Sequence, residues 1–265
     1  MRYFNDASDE ASSGSFHQVL SLSSQADLIW EDVISMVPGM PKGWFELSRL
    51  AANEKVEFIR DHWLLRIPYF PHVREALVTF FEKLDDIGIY IVKQTAESPY
   101  EVQMVYSLAD DSGFFHGGIP VDDVVLTDLH KGFREYLLPE DYIAFLQIHD
   151  GFCKYSDVGL IPARNLREGY VAFQQFLHEQ KLVLEENGKA VNHKSLIPFY
   201  ESFGHHGYQC FYGEWYPEQE MGNVYFSGVD KAISAIDTAE SWSDNLAFPS
   251  FLQWLAFYLE GIEGA

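Results

Sequence analysis

The sequence predicts a globular fold built from both helices and strands, and three observations carry that prediction. Hydrophobic residues make up 47% of the 265-residue chain, enough to fill a sizeable core. Between residues 53 and 86 apolar side chains recur at helical spacing, and from residue 87 the runs become β-rich. In the last third, short strand-like runs alternate with glycine turns and end in an almost wholly apolar segment, "FPSFLQWLAFYLEG".

The N-terminal stretch is rich in Ser and Asp, so residues 1–38 are expected to form a flexible leader. "VPGMPKG" (37–43) is a turn-rich entry into ordered structure. "NEKVEFIRDHWLLRIP" (53–68) reads as a helix capped by Asn53, with Val56, Ile59, Trp63 and Ile67 on one face and Pro68 as its stop. "PHVREALVTFFEKLDD" (71–86) reads as a second helix, with Pro71 at a tolerated early position and Val73, Leu77, Phe80 and Leu84 as its stripe. The short "PYFP" link makes the two a helical hairpin. "IGIYIVKQT" (87–95) and "YEVQMVYSL" (100–108), joined by a short polar turn, read as an antiparallel hairpin, and "FFHGGIP" as a third strand. Residues 39–120 therefore read as one helix–helix–β-hairpin region, and 121–265 as a second unit.

"VDDVVLTDLHKGFREYL" (121–137) reads as a helix. In "LPEDYIAFLQIHDGF" (138–152), Pro139 opens a helix and Glu140 and Asp141 suit its positive first turn. Tyr142, Phe145, Leu146 and His149 share a face, and Gly151 is a left-handed stop. After "VGLIPARNL" a long helix carries Leu166, Tyr170, Phe173, Leu177 and Leu184, ending at Asn187-Gly188. "SLIPFYES", "YQCFY" and "GNVYFSG" read as strands, and the closing segment as a buried helix.

Charge narrows the function classes. The chain has 18 Lys and Arg against 40 Asp and Glu, a net charge of −22. No run of basic residues offers a footprint for nucleic acid, and an anionic membrane surface would repel the chain. A basic protein partner would be attracted. Two cysteines make no disulfide framework in a chain this long. The N-terminus lacks the apolar core of a signal peptide, and a cytoplasmic protein is expected.

The residues that suggest chemistry lie in "FGHHGYQCFYGEW" (203–215) and around residue 150. His205, His206 and Cys210 could join His149, Cys153 or His116 around a metal, but compact zinc spacings are missing. Adjacent histidines on a strand also point to opposite faces. His149-Asp150 resembles the His-Asp pair of metal phosphohydrolases, yet Gly151 stops the helix at once, which suits a cap. Cys153 near His149 carries no nucleophile signature.

In order, "LPEDYIAFLQIHDGF", "GLIPARNL", "LIPFYESFGHHGYQCFY", "MGNVYFSG" and "FPSFLQWLAFYLEG" resemble the SUKH superfamily. That superfamily includes Smi/Knr-type cell-wall synthesis regulators and bacterial toxin-immunity proteins. The resemblance spans about 120–265. Asp150 stands where the family commonly has Asn, and "GHHG" replaces its usual Gly-Asp or Gly-Gly turn. The resemblance implies an α+β fold, one mostly antiparallel sheet with helices packed around it, to which 39–120 adds a helical hairpin and a β-hairpin. Leu138, Pro139, Tyr142, Phe145, Asp150 and Gly151 are its structural motif. It implies protein binding and no enzymatic activity, so no catalytic residue, cofactor or metal is expected. The partner would be a basic toxin, a regulatory target or a second copy of the chain.

The loop "GEWYPEQEMG" (213–222) sets Glu214, Glu218 and Glu220 beside Trp215 and Tyr216. Aromatics among charges are what protein hot spots use, and these five residues are the expected partner-binding surface. Against it stands a solvated hairpin loop with Trp215 folded back on the core. The rival function is a metal-dependent hydrolase using His149, His205, His206 and Cys210.

Overall fold

The computed structural model describes residues 16–109, 113–154, 157–180, 185–186, 189–202, 206–217, 219–228, 230, 232–236 and 245–260. The fold is α+β, and its strands divide between two antiparallel sheets instead of one. The first sheet runs β1 (Gln18–Ser21), β2 (Leu84–Lys93), β3 (Glu101–Leu108), β4 (Phe114–Gly117) and β5 (Phe152–Lys154), in that spatial order. The second contains β6 (Gly159–Leu160), and further along the chain β9 (Leu196–Ser202), β10 (Gly207–Tyr212), β11 (Asn223–Ser227), β12 (Ala232–Ile233) and β13 (Ala247–Phe248). Its order is β12-β11-β10-β9-β6, with β13 also on β11. A two-residue pair, β7 (Glu185–Glu186) and β8 (Lys189–Ala190), stands apart.

Both expected N-terminal helices form. They are α3 (Ala52–Arg66) and α4 (Pro71–Glu82), preceded by α1 (Trp30–Met36) and α2 (Lys42–Leu47). Asn53 does not cap α3. The Glu54 carboxylate instead reaches back to accept the Ala51 N–H at 3.0 Å. Helix α4 ends at Glu82, and Leu84 already pairs with Leu108 in β2–β3. The sheet's demand for partners outweighs continued helical spacing there.

The leader expected over residues 1–38 needs correction for its described part. β1 pairs with β2, and Leu22 and Val33 are fully buried. The Arg49 guanidinium holds this segment down by donating to the carbonyls of Leu22, Gln25 and Leu28 at 3.3, 2.9 and 2.7 Å.

The first sheet crosses residue 120. β4 pairs with β5 through His116–Cys153 and its neighbours, so a strand of the C-terminal part completes the N-terminal sheet. A single hydrophobic cluster runs from Leu22 to Leu259. Trp63 on α3 sits near its centre, with the Phe81, Phe145 and Phe152 rings at 5.4, 5.4 and 5.7 Å. A second cluster, around Phe173, Leu177, Cys210, Val224 and Phe226, lies under the other sheet. The remaining helices are α5 (Asp123–Gly132), α6 (Glu140–Leu146), α7 (Ala163–Glu179) and α8 (Phe251–Glu260). α8 is buried on most sides, as its composition predicts. Among the described residues no helix is long and apolar enough to cross a membrane.

Candidate functional site

Asp141, His149 and Asp150 of the "LPEDYIAFLQIHDG" stretch are spent on holding elements together. The Asp141 carboxylate accepts from its own neighbour Tyr142 N at 2.8 Å and from Leu252 N at 2.9 Å. The second bond satisfies a free N–H in the first turn of α8, so one side chain pins α8 to α6. Burial pushes Asp141 up to about 6, working against those two bonds. Asp150 accepts from Ala163 N, the first residue of α7, at 2.6 Å. Gly151 follows with φ of +76°, a left-handed conformation that a side chain would strain. Leu138, Pro139, Tyr142 and Phe145 are buried beneath.

His149 is buried and both its ring nitrogens are engaged. A carbonyl oxygen only accepts, so Nδ1 carries the proton and donates to Gly118 O at 2.8 Å. Nε2 then accepts from the Tyr106 hydroxyl at 2.5 Å, and that hydroxyl accepts from Trp63 Nε1–H at 3.1 Å. Burial lowers His149 to about 4, so the ring stays neutral at physiological pH. This relay joins α3, β3 and the end of α6. It leaves no ring nitrogen for a metal or a substrate.

The other candidate nucleophiles and ligands are equally occupied. Cys210 is fully buried in the second cluster, and burial pushes its thiol well up. Cys153 Sγ lies 3.0 Å from His116 Nε2 across β4–β5. Burial, then the nearby Asp157, pushes this thiol up to about 12, so it stays protonated where a nucleophile would need a thiolate. His206, at φ of +54°, stacks on Phe176 with ring centroids 4.9 Å apart. His205 lies outside the described residues. Among the described residues no group of three or more His, Cys, Asp or Glu is placed to hold a metal ion. The hydrolase set of His149, His206 and Cys210 is thus not brought together: His149 is bonded within the first core, and Cys210 packs in the second.

A family model described as SMI1 / KNR4 family (SUKH-1) matches residues 120–256, just over half the chain. The chain belongs to the SMI1/KNR4 (SUKH-1) family. No curated protein and no solved structure matches it. The SUKH match begins at residue 120, just after β4, so the first sheet of this protein combines four strands from before the matched region with one from within it.

The expected binding loop of this SUKH domain is firmly built. Trp215 N donates to Tyr212 O and Trp215 O accepts from Gly222 N, both at 2.9 Å. The indole lies on Gly222, where an added Cβ would come within 2.3 Å of ring atom Cε3. Trp215 is therefore folded back, packed against the second cluster. Glu220 turns inward as well, and its Oε2 accepts from Glu140 N at 3.3 Å. Glu214 is exposed and accepts from Asn192 Nδ2 at 3.1 Å. Tyr216 is 45% exposed. Glu218 lies outside the described residues. Of the five expected contact residues, two brace the loop and two face solvent.

Sequence reasoning missed two features. The Trp63–Tyr106–His149 relay spans distant segments, and only the unexplained apolar-face histidine hinted at it. The other is the buried amide pair Gln209–Asn223, with Gln209 Nε2 donating to Asn223 Oδ1 at 2.7 Å. Asn223 Nδ2 goes on to Ser250 O at 2.9 Å, fastening β11 to the entry of α8.

Proposed function

We propose that this chain is a cytoplasmic, non-enzymatic protein-binding module of SUKH type, acting as a toxin-immunity or regulatory protein. Its contact surface is the loop at 213–220, with Tyr216 and Glu214 as the presented groups and Glu218 beside them in sequence. Trp215 and Glu220 serve the same site by holding the loop's shape. The observation that carries this reading is the contrast in the loop itself. A loop braced from within by an indole and a carboxylate still leaves a tyrosine and a glutamate outside. Such preorganisation reduces the ordering cost of binding. The net charge of −22 favours a basic partner such as a cationic toxin and speeds its encounter.

The test is affinity capture from native lysate with the full chain and with a Tyr216→Ala/Glu214→Lys variant of equal thermal stability. A partner retained by the first and lost by the second is expected. Identical captured sets would refute the assignment of the surface.

A further inference from the structure

We infer that the groove between α5 and α7 is a docking site for a carboxylate-bearing, apolar linear segment of a partner protein. This deepens the protein-binding reading and rests on it. The groove has a volume of about 440 Å³ and continues into a second of about 380 Å³, with Gly132, Phe133 and Arg167 shared by both walls. Val125, Leu129 and Phe133 supply an apolar floor, and Val124 on the rim is 68% exposed. An aliphatic side chain has surface to bury there.

The charges choose the occupant. In a chain with 18 basic residues against 40 acidic ones, Lys131, Arg134, Arg164 and Arg167 all line these grooves. Lys131 is already tied to Asp128 at 3.0 Å. Among the described residues no carboxylate lies within 4.0 Å of Arg134, Arg164 or Arg167. The groove's own Asp122 is turned to Val125 N at 2.8 Å as the cap of α5, and Asp150 bonds to Ala163 N and feels the Arg164 charge only through space. Glu135 lines only the second groove.

Arg167 is the most prepared of the three. Its guanidinium carbon lies 5.7 Å from the Phe133 centroid and 5.4 Å from that of Tyr170. Stacking on ring faces holds the planar fork while its N–H edges keep no acceptor within the described chain. A carboxylate meets such a fork with two parallel bonds. Arg164 stands one helical turn before it on α7.

The groove is continuous with the loop described above. Tyr136 lines the second groove, and its ring lies under Gly213, where an added Cβ would come within 2.7 Å of Cε1. A partner spanning both would set a cationic region against Glu214 and an acidic, apolar segment in the groove.

The probe is a fluorescein-labelled peptide of sequence Leu-Glu-Glu-Leu-Leu-Glu-Glu-Leu, with the same peptide carrying Gln for Glu as control. Fluorescence anisotropy with the full chain reads binding. The acidic peptide should bind about tenfold more tightly than the Gln peptide, the worth of a charge-assisted pair. Arg164→Gln and Arg167→Gln should each erase that preference. Among the described residues Arg164 packs on no ring, so its variant keeps the test valid if the Arg167 change unsettles α7. Equal affinity for both peptides, no binding of either, or an unchanged preference in Arg164→Gln overturns the proposal. The Tyr216→Ala/Glu214→Lys chain should bind the peptide normally. Failure of the groove is thus read separately from failure of the loop.

Discussion

His149→Phe is the perturbation that most sharply separates a structural histidine from a chemical one. The phenyl ring keeps the packing against Trp44, Trp63 and Phe152, whose ring centroids lie 5.7, 5.9 and 5.7 Å from the imidazole. It removes the acceptor for the Tyr106 hydroxyl proton, leaving only the bond from Trp63, and the donor to Gly118 O. Each group left without that bond costs about 1–3 kcal/mol, so the variant should lose about 2–6 kcal/mol. Urea unfolding of the full chain at pH 7 measures it. In a cycle with Tyr106→Phe the double loss should fall short of the sum by at least about 1 kcal/mol, because the two changes break a shared bond. The pH dependence has a definite sign. His149 ordinarily titrates at 6.5 and is lowered to about 4 by burial, so below 6.5 the unfolded chain takes a proton that the folded chain refuses. Its contribution is fully present above pH 6.5 and is lost as pH falls towards 4, by about 3 kcal/mol. The stability gap between wild type and His149→Phe should narrow by that amount over that range. Other groups titrate alike in both chains and cancel. A variant within about 0.5 kcal/mol of wild type, or a gap that does not move with pH, would refute the relay.

Three further outcomes are expected. Trp215→Ala should cost about 2 kcal/mol in urea unfolding, because the indole packs on Gly222 and the second cluster, while Tyr216→Ala should stay within about 0.5 kcal/mol; equal losses would contradict the division of the loop into brace and face. Asp141→Ala should destabilise more at pH 5 than at pH 8, by about 1 kcal/mol, since burial raises the carboxyl to about 6 and the cost of ionising it in the folded chain is incurred as pH rises through 6; the reverse order would place the buried charge wrongly. Limited proteolysis should leave one resistant fragment spanning both sides of residue 120, because β4 pairs with β5 and the core is shared; a stable fragment ending near residue 120 would contradict this.

Much of the fold is legible in the sequence because local patterns agree with tertiary demands. Ile59, Trp63 and Ile67 recur at helical spacing and all are buried, and Gly151 stops its helix at positive φ. Most misses arise where a distant partner decides. β1 is four residues long and mixed in polarity, and its partner β2 lies more than sixty residues away. Leu84 fits the α4 stripe by spacing, but Leu108 draws it into the sheet. Asn53 is a good cap by type, yet the helix starts one residue before it, with Ala51 in the cap position and its N–H bonded to Glu54. In the proposed binding loop, residue types do not say which way each side chain turns. Trp215 and Tyr216 are neighbours with opposite fates, set by the close approach that Gly222 permits. Arg164 and Arg167 are visible as an i, i+3 pair on one helix, but the groove exists only because α5 packs beside α7.

The proposed role of this SUKH protein is to bind another protein through the outward face of the 213–220 loop. Calorimetric titration of the captured partner, produced recombinantly, into wild type and into Tyr216→Ala/Glu214→Lys tests it most directly. A loss of affinity of at least about tenfold, with unfolding midpoints unchanged, is the predicted result. Undiminished affinity in a fully folded variant would contradict it.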